Sequence, residues 1–404
     1  MDTTTDSPKP GDHGAAWLAG FLGWTLDAFD FFLVAYCLTA IGREFHKTDA
    51  EVAFSLTLTL AFRPVGAFLF GLLADRYGRK LPLMIDFVFY GVVEVATGFT
   101  RTYSSFLALR ALFGVGMGGV WGVGSSLAME KVPVRLRGVL SGLLQQGYAL
   151  GNILAGLSFL LFFDRFGWRP LFFLGGIPPV LLALFVRFRV KESDVWERSK
   201  PPDWRTLGRT ILAHWRLFVY LTLFMTTMNL ASHGTQDMFP AFLERQWHLP
   251  TFTRSWISIL SMCGAIAGGV LTGLSSDRLG RRRAIITALL VAVLIVPLWA
   301  FAPTVGLLAL GAFLIQFCVQ GAWGVIPAHL NELSPNAIRG FLPGFAYQCG
   351  VLLSSGVTTF EAKLAEHISY ATAMAATAAV VFLLAALAAS LGGERRGRDF
   401  ARQG

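Results

Sequence analysis

The 404 residues are 54% hydrophobic and 15% charged, with 34 Lys and Arg against 25 Asp and Glu. A soluble domain carries about 25% charged residues, so this composition excludes an ordinary soluble enzyme and points to lipid as the solvent. The net charge of +9 does not indicate nucleic acid, because the basic residues fall in short loops between apolar runs and form no single patch.

Residues 1–14 read as a polar tail without a cleavable signal, the first apolar run being too long and continuous for one. Charge-poor runs of about 20 residues then follow one another, the length that crosses ~30 Å of hydrocarbon as helix. Lipid offers backbone amides no partner, so such runs can only be helices. The first half holds six, at 15–42, 51–74, 82–100, 104–127, 138–163 and 168–187. A polar stretch, 188–214, with Trp196 and Pro201-Pro202, reads as a solvated linker with a short surface helix. The second half holds six more, at 215–243, 252–276, 284–301, 304–328, 340–362 and 367–392, before a tail at 393–404. The expected fold is therefore an all-α membrane protein of twelve transmembrane helices in two six-helix bundles, 15–187 and 215–392. The four cysteines, Cys37, Cys263, Cys318 and Cys349, lie inside apolar runs without metal-ligand spacing and read as small packing residues. No metal or cofactor is expected.

Lysine and arginine in loops set orientation. The side holding both termini and the linker carries 24 of them and the opposite side eight, which makes both termini cytoplasmic.

An internal repeat supports the two bundles independently of hydropathy. Gly71-Leu-Leu-Ala-Asp75-Arg76-Tyr-Gly-Arg79-Lys80 reappears as Gly273-Leu-Ser-Ser-Asp277-Arg278-Leu-Gly-Arg281-Arg282. Trp121-Gly-Val reappears as Trp323-Gly-Val, and Glu130, Pro133, Arg137 and Gly138 as Glu332, Pro335, Arg339 and Gly340. Every pair shares one offset of 202 residues, so a six-span unit is duplicated in the same orientation.

These blocks resemble the loop 2–3 signature of the major facilitator superfamily and its second-half counterpart. Arg110-Ala-Leu-Phe-Gly114-Val-Gly116-Met-Gly118, with Glu130 and Arg137-Gly138, resembles the fourth-span pattern of its sugar- and acid-transporting branches. The resemblance implies the major facilitator fold and transport by alternating access. It also implies a cytoplasmic gate at Gly71, Asp75, Arg76, Arg79, Glu130, Arg137, Asp277, Arg278, Arg281, Glu332 and Arg339. Within that gate Glu130 is expected to pair with Arg137, and Glu332 with Arg339.

Ionisable residues inside a span are costly and mark function. The first half shows Asp27 and Asp30 on span 1, Arg63 on span 2, Glu94 on span 3 and Arg110 on span 4. All fall near mid-depth, and a carboxylate that gains and loses an arginine there can take up and release a proton. Asp27, Asp30, Glu94 and Arg110 are the proton-coupling candidates. By resemblance to proton–sugar symporters, Arg110 pairs with a span-1 aspartate, Asp27 before Asp30; Arg63 with Glu94 is a further candidate pair.

Span 7 carries the substrate signal. Asn229, Ser232, His233, Gln236 and Pro240 follow a 3–4 spacing and make one polar stripe, with Thr235 and Asp237 at its margins. Pro240 invites a break. The run resembles the span-7 signature of lactate/pyruvate–proton symporters in the sialate–proton symporter branch, departing from it only where Ala241 replaces Thr. A carboxylate would be bound by Arg110 or Arg63. Asn229, Ser232, His233, Gln236, Asp237, Arg63, Gln145, Tyr347 and Gln348 are the substrate-binding candidates. His329 reads as bland, and Glu361 with Lys363 as solvated loop residues or an entrance feature.

The leading expectation is a bacterial inner-membrane symporter, working as a monomer, for a proton and a small monocarboxylate such as lactate or pyruvate. The alternatives are uptake of sialate, an aromatic acid or another organic acid, and, disfavoured, drug/proton antiport. A membrane enzyme is not expected, because no second histidine or Gly-x-Ser-x-Gly accompanies His233 and Asp237.

Overall fold

The computed structural model describes residues 12–199 and 202–400, which leaves most of the 1–14 tail, Lys200 and Pro201 of the linker and the last four residues outside the description. The regular structure is helical throughout. The first half runs α1 (Asp12–Phe45), α2 (Asp49–Tyr77), α3 (Lys80–Gly98), α4 (Tyr103–Lys131), α5 (Arg137–Gln145), α6 (Gly147–Phe166) and α7 (Arg169–Arg189). Two linker helices follow, α8 (Asp194–Arg198) and α9 (Trp204–Ala213). The second half runs α10 (Trp215–Gln236), α11 (Phe239–Arg245), α12 (Thr251–Leu279), α13 (Arg281–Ala300), α14 (Val305–Leu333), α15 (Leu342–Ser354), α16 (Val357–Ala365) and α17 (Tyr370–Leu391).

Among the described residues, ten helices are long and apolar enough to cross a membrane, counting α5–α6 as one, and an eleventh crossing is made only by α9 and Trp215–Arg245 together, bent by 66°. The twelfth crossing is divided between α15 and α16, of 13 and 9 residues, with Ser355 and Gly356 between them. Leu160, Phe188, Leu294 and Leu391 are among the many large apolar side chains left outside, as a lipid-facing surface requires.

The duplication is visible in the element boundaries. Helices α4 and α14 begin and end 202 residues apart, and the 3₁₀ turns Val134–Leu136 and Asn336–Ile338 repeat the same step. Their starts are capped alike, Thr102 accepting from the Ser105 N–H and Thr304 from the Leu307 N–H. The turns after α2 and α12 need Gly78 and Gly280, whose φ of 96° and 98° other residues avoid.

Within each bundle the same neighbours meet, α2 with α4 and α12 with α14, for example. Between bundles α5 packs on α12 and α14, and, by the repeat, α15 packs on α2 and α4. Small residues set these distances. A Cβ on Gly122 would lie 2.7 Å from Cα of Gly344, and one on Gly71 would lie 2.7 Å from Cα of Phe341. The inter-bundle hydrogen bonds cluster at the face that holds the linker and the last described residues. We call this the terminus-bearing face.

The linker is more than a solvated tether. Glu192 accepts from the N–H groups of Arg79 and Lys80, and Trp196 donates its indole N–H to the Asp75 carbonyl at 3.0 Å. The C-terminal segment repeats this: Glu394, 202 residues on, accepts from the Arg282 N–H at 2.8 Å. Phe400 lies between the guanidiniums of Arg137 and Arg339, at 4.0 and 3.8 Å from its ring centre.

Gly344→Leu is expected to drive the bundles apart at this face, since overpacking a filled contact costs about 1–3 kcal/mol. Spin labels placed on α4 and α15 at the terminus-bearing face should report a longer distance than in the parent protein.

Candidate functional site

Closure of the terminus-bearing face rests on two copies of one charge network. Asp75 ends α2 beside the start of α15. Its two oxygens accept the backbone N–H groups of Gly340 and Phe341 at 2.7 and 3.0 Å, and Arg79 pairs with it at 2.8 Å. In the other copy, Asp277 accepts the Gly138 N–H at 3.0 Å, and Arg281 pairs with it at 2.7 Å. A carboxylate is favoured at a helix start because the first N–H groups there have no partner within the helix. Burial pulls the Arg79 guanidinium down, and the carboxylates of Glu130 and Asp75 more than offset it, so its pKa lies above the ordinary value.

The glutamates pair differently from the sequence expectation. Glu130 is bound by Arg79 at 3.1 Å and by Arg339 of the other bundle at 3.4 Å, not by Arg137. Glu332 is bound by Arg281 at 3.0 Å and by Arg137 of the other bundle at 3.2 Å, not by Arg339. The cause is tertiary: α5 and α15 dock across the bundle interface, so the arginine at or just before the start of each reaches the other bundle's glutamate. Arg76 stacks on Tyr77, and Arg278 is exposed with only its backbone carbonyl bonded, to Arg396. Neither side chain joins the network among the described residues.

Behind this closure lies a cavity of about 300 Å³. The span-7 stripe lines it through His233, Gln236 and Asp237, facing Gln145, Gln146, Tyr148 and Asn152 of the first half. The helix breaks at Asp237–Met238, which puts Pro240 at the second position of α11, where no N–H is needed. Thr235, placed at the margin of the stripe by its spacing, is buried and accepts from Gln316; Gln316 in turn accepts from Gln236 at 2.8 Å. Ser232 accepts from Gln320 at 3.2 Å, and His233 meets Asp237 at 3.2 Å.

A smaller cavity of about 80 Å³ continues inward, lined by Arg63, Asn229, Ser232, Tyr347 and residues shared with the first. Its floor is aromatic. The Tyr347 ring centre lies 4.7 Å from that of Trp121, 5.7 Å from that of Trp323 and 6.4 Å from that of Trp24. Arg63 bonds Tyr347, while its Nε and Nη2 have no hydrogen-bond partner among the described residues. Those two nitrogens form the edge of a guanidinium that grips a carboxylate with two parallel bonds.

The fold and cavity can be set against known proteins. A family profile described as Major Facilitator Superfamily matches residues 20–236, and one described as Sugar (and other) transporter matches 212–392. The chain belongs to the major facilitator superfamily. A probable 4-methylmuconolactone transporter of Cupriavidus pinatubonensis is 30% identical, over 94% of this chain and 90% of that one. A carboxylic acid transporter protein homolog of Saccharomyces cerevisiae is 29% identical, over 94% of this chain and 68% of that one. The sialic acid transporter NanX of Escherichia coli is 28% identical, over 83% of each. Among solved structures, the proton:xylose symporter XylE superposes with a TM-score of 0.78 at 19% identity, covering 97% of this chain and 98% of that one. That likeness speaks for the fold. The protein is a membrane transporter, not an enzyme.

In this transporter the intramembrane charges other than Arg63 sit behind the cavities, inside the first bundle. Arg110 is fully buried and pairs with Glu94, and it also donates to Thr97 at 2.7 Å. Its partner is therefore a span-3 glutamate, not Asp27 or Asp30, and Arg63 is not paired with Glu94. Arg110 lines neither cavity, because α4 turns it toward Phe106, Phe113 and Phe172. Asp27 and Asp30 are fully buried without hydrogen-bond partners among the described residues, and Arg63 is an electrostatic neighbour of Asp27. Gln348 is buried and lines neither cavity. Glu361 is also buried, beside Thr377 and Gly234, rather than solvated. Sequence reasoning passed over Asp86, a sixth ionisable residue within the first-half spans and fully buried. Its position two turns before Glu94 on one face of span 3 was the available signal.

Asp75→Asn is expected to weaken closure of the terminus-bearing face, since removing one partner of a buried ion pair costs about 3–5 kcal/mol. A cysteine at Ser141, on the inter-bundle contact, should react faster with a water-soluble maleimide in that variant than in the parent background.

Proposed function

We propose that this protein is a proton-coupled symporter of small monocarboxylates of the lactate or pyruvate type, with the terminus-bearing face cytoplasmic. The observation that carries the reading is Arg63. It lies at the inner end of a polar cavity with two unpaired guanidinium nitrogens, and the buried Asp27 carboxyl is its electrostatic neighbour. A carboxylate docked on Nε and Nη2 would leave its hydroxyl or keto oxygen toward Asn229, Ser232, His233 and Gln236.

The same arrangement supports coupling. With the cavity empty, the Arg63 charge favours ionised Asp27. An anion on Arg63 neutralises that charge, and an unpaired buried carboxylate then takes up a proton. Anion and proton thus raise each other's affinity, as linkage requires. The loaded first bundle holds less uncompensated charge, which favours passage through the occluded state. The network of Asp75, Arg79, Glu130 and Arg339 with its repeat acts as the gate on the cytoplasmic side. Glu94 and Arg110 hold the bundle interior and offer Asp30 a second charged neighbour.

A second reading is favoured by the cavity volume, about 300 Å³, which exceeds what a three-carbon acid fills. The relatives named for muconolactone and sialic acid support a larger organic acid on the same Arg63.

Radiolabelled lactate uptake into proteoliposomes under an inward proton gradient tests the proposal. Accumulation above the equilibrium level is expected, and gradient-independent behaviour with every monocarboxylate would overturn it. Asp27→Asn should retain counterflow exchange and lose gradient-driven accumulation; persistent accumulation would make Asp27 structural.

A further inference from the structure

The proposed coupling leaves Asp86 without a part. Helix α3 presents Asp86, Tyr90 and Glu94 at a spacing of four, so the three form one stripe. Counting from Lys80 at 1.5 Å per residue, the stripe runs from ~9 Å to ~21 Å into the membrane-crossing helix. All three residues are fully buried. Both Asp86 oxygens, the Tyr90 hydroxyl and one Glu94 oxygen have no hydrogen-bond partner among the described residues.

The surrounding helices supply the remaining charges. From α1 come Asp27 and Asp30. Asp27 is the electrostatic neighbour of Asp86, and Tyr90 lies within electrostatic reach of all four carboxyls. Helix α2 supplies Arg63 and α4 supplies Arg110; Gly119 of α4 leaves no room for a Cβ beside the Asp86 carboxyl. Helix α7 packs on α3 through Gly176 and Pro179 and sets Gly175 against the Asp30 carboxyl of α1, with its arginines 169, 187 and 189 at its two ends.

Four carboxylates thus share two guanidiniums. Were all ionised, two negative charges would stay uncompensated, and a buried charge in that position neutralises instead. The bundle therefore stores more protons than one coupling aspartate accounts for. No group of three or more His, Cys, Asp or Glu among the described residues is arranged to hold a metal ion.

We infer that Asp86 is a further proton-carrying residue, the station between Asp27 and the terminus-bearing face. This rests on the proton-coupled reading. In the transfer, the O–H bond of protonated Asp27 breaks and an O–H bond forms on the Asp86 carboxylate. Asp27 ends anionic beside Arg63 and Asp86 neutral; one proton has moved inward.

Infrared spectroscopy of the full chain in lipid nanodiscs, titrated with pH, reads the carbonyl band of protonated carboxyls without substrate or gradient. Asp86→Asn is expected to remove part of that band and Asp86→Glu to keep it at a shifted frequency. A band unchanged by Asp86→Asn at every pH overturns the inference. Should Asp86→Asn not purify as a folded protein, Asp86→Glu carries the test, and an unshifted band counts against the inference. In proteoliposomes, Asp86→Asn should leave counterflow intact and slow gradient-driven uptake by about a hundredfold, the scale of losing a positioned proton-transfer group, with Asp86→Glu restoring it. Equal loss of both activities would mark Asp86 as structural and overturn the inference. If the Asp86 band is lost but the parent protein accumulates no acid, the substrate reading fails and the protonation site stands.

Discussion

Two carboxylates, Asp75 and Asp277, reach out of their own bundles to the first backbone amides of a helix in the other, and the closed terminus-bearing face is arranged around them. A helix start offers N–H groups that nothing within the helix satisfies. Tying those groups to a carboxylate from the opposite bundle makes closure of the face and satisfaction of the backbone one event. Arginines 79 and 281 hold the carboxylates, and arginines 137 and 339 carry the pairing across to Glu332 and Glu130. The lock lies at the ends of the helices, where water can replace its bonds as the bundles part. A deeper lock would leave bare charges in low dielectric on opening.

Below the lock the two halves stop resembling each other. The first bundle buries Asp27, Asp30, Asp86, Glu94, Arg63 and Arg110. The second offers neutral polar groups, Gln236, Gln316, Gln320, Ser232 and Thr235, bonded to one another between α10 and α14. Arg63 is where these two chemistries meet, since it faces the cavity on one side and Asp27 on the other. Tyr347, boxed by Trp24, Trp121 and Trp323, separates that meeting point from the lock. The aromatic floor comes from four helices of both bundles, so it is complete only while the face is closed.

The linker and the C-terminal segment extend the repeat beyond the membrane. Glu192 and Glu394, 202 residues apart, each cap the start of the helix that follows an arginine-bearing turn. Each turn passes through a left-handed glycine, Gly78 or Gly280. Phe400 then fills the gap between two guanidiniums that the duplication places face to face. The parts that look like connecting polar chain are thus fastened to the moving ends of both bundles.

The membrane-spanning helices and their duplication were legible because hydrocarbon thickness fixes helix length and a constant offset survives divergence of individual residues. The span-7 stripe was legible for a similar reason: clustered polar side chains on an apolar helix have no lipid-facing explanation. What the chain alone did not reveal was partnership. Helical spacing tells which residues share a face, not which other helix that face meets. Hence Arg110 was assigned to Asp27 when α3 brings Glu94 to it, and Glu130 to the nearby Arg137 when docking of the bundles brings Arg339 instead. Asp86 was passed over and Glu361, near the end of its span, read as solvated, and packing buried both. Depth and periodicity are one-dimensional properties written in the sequence, whereas charge compensation inside a bundle depends on distances between helices, which only the tertiary structure decides.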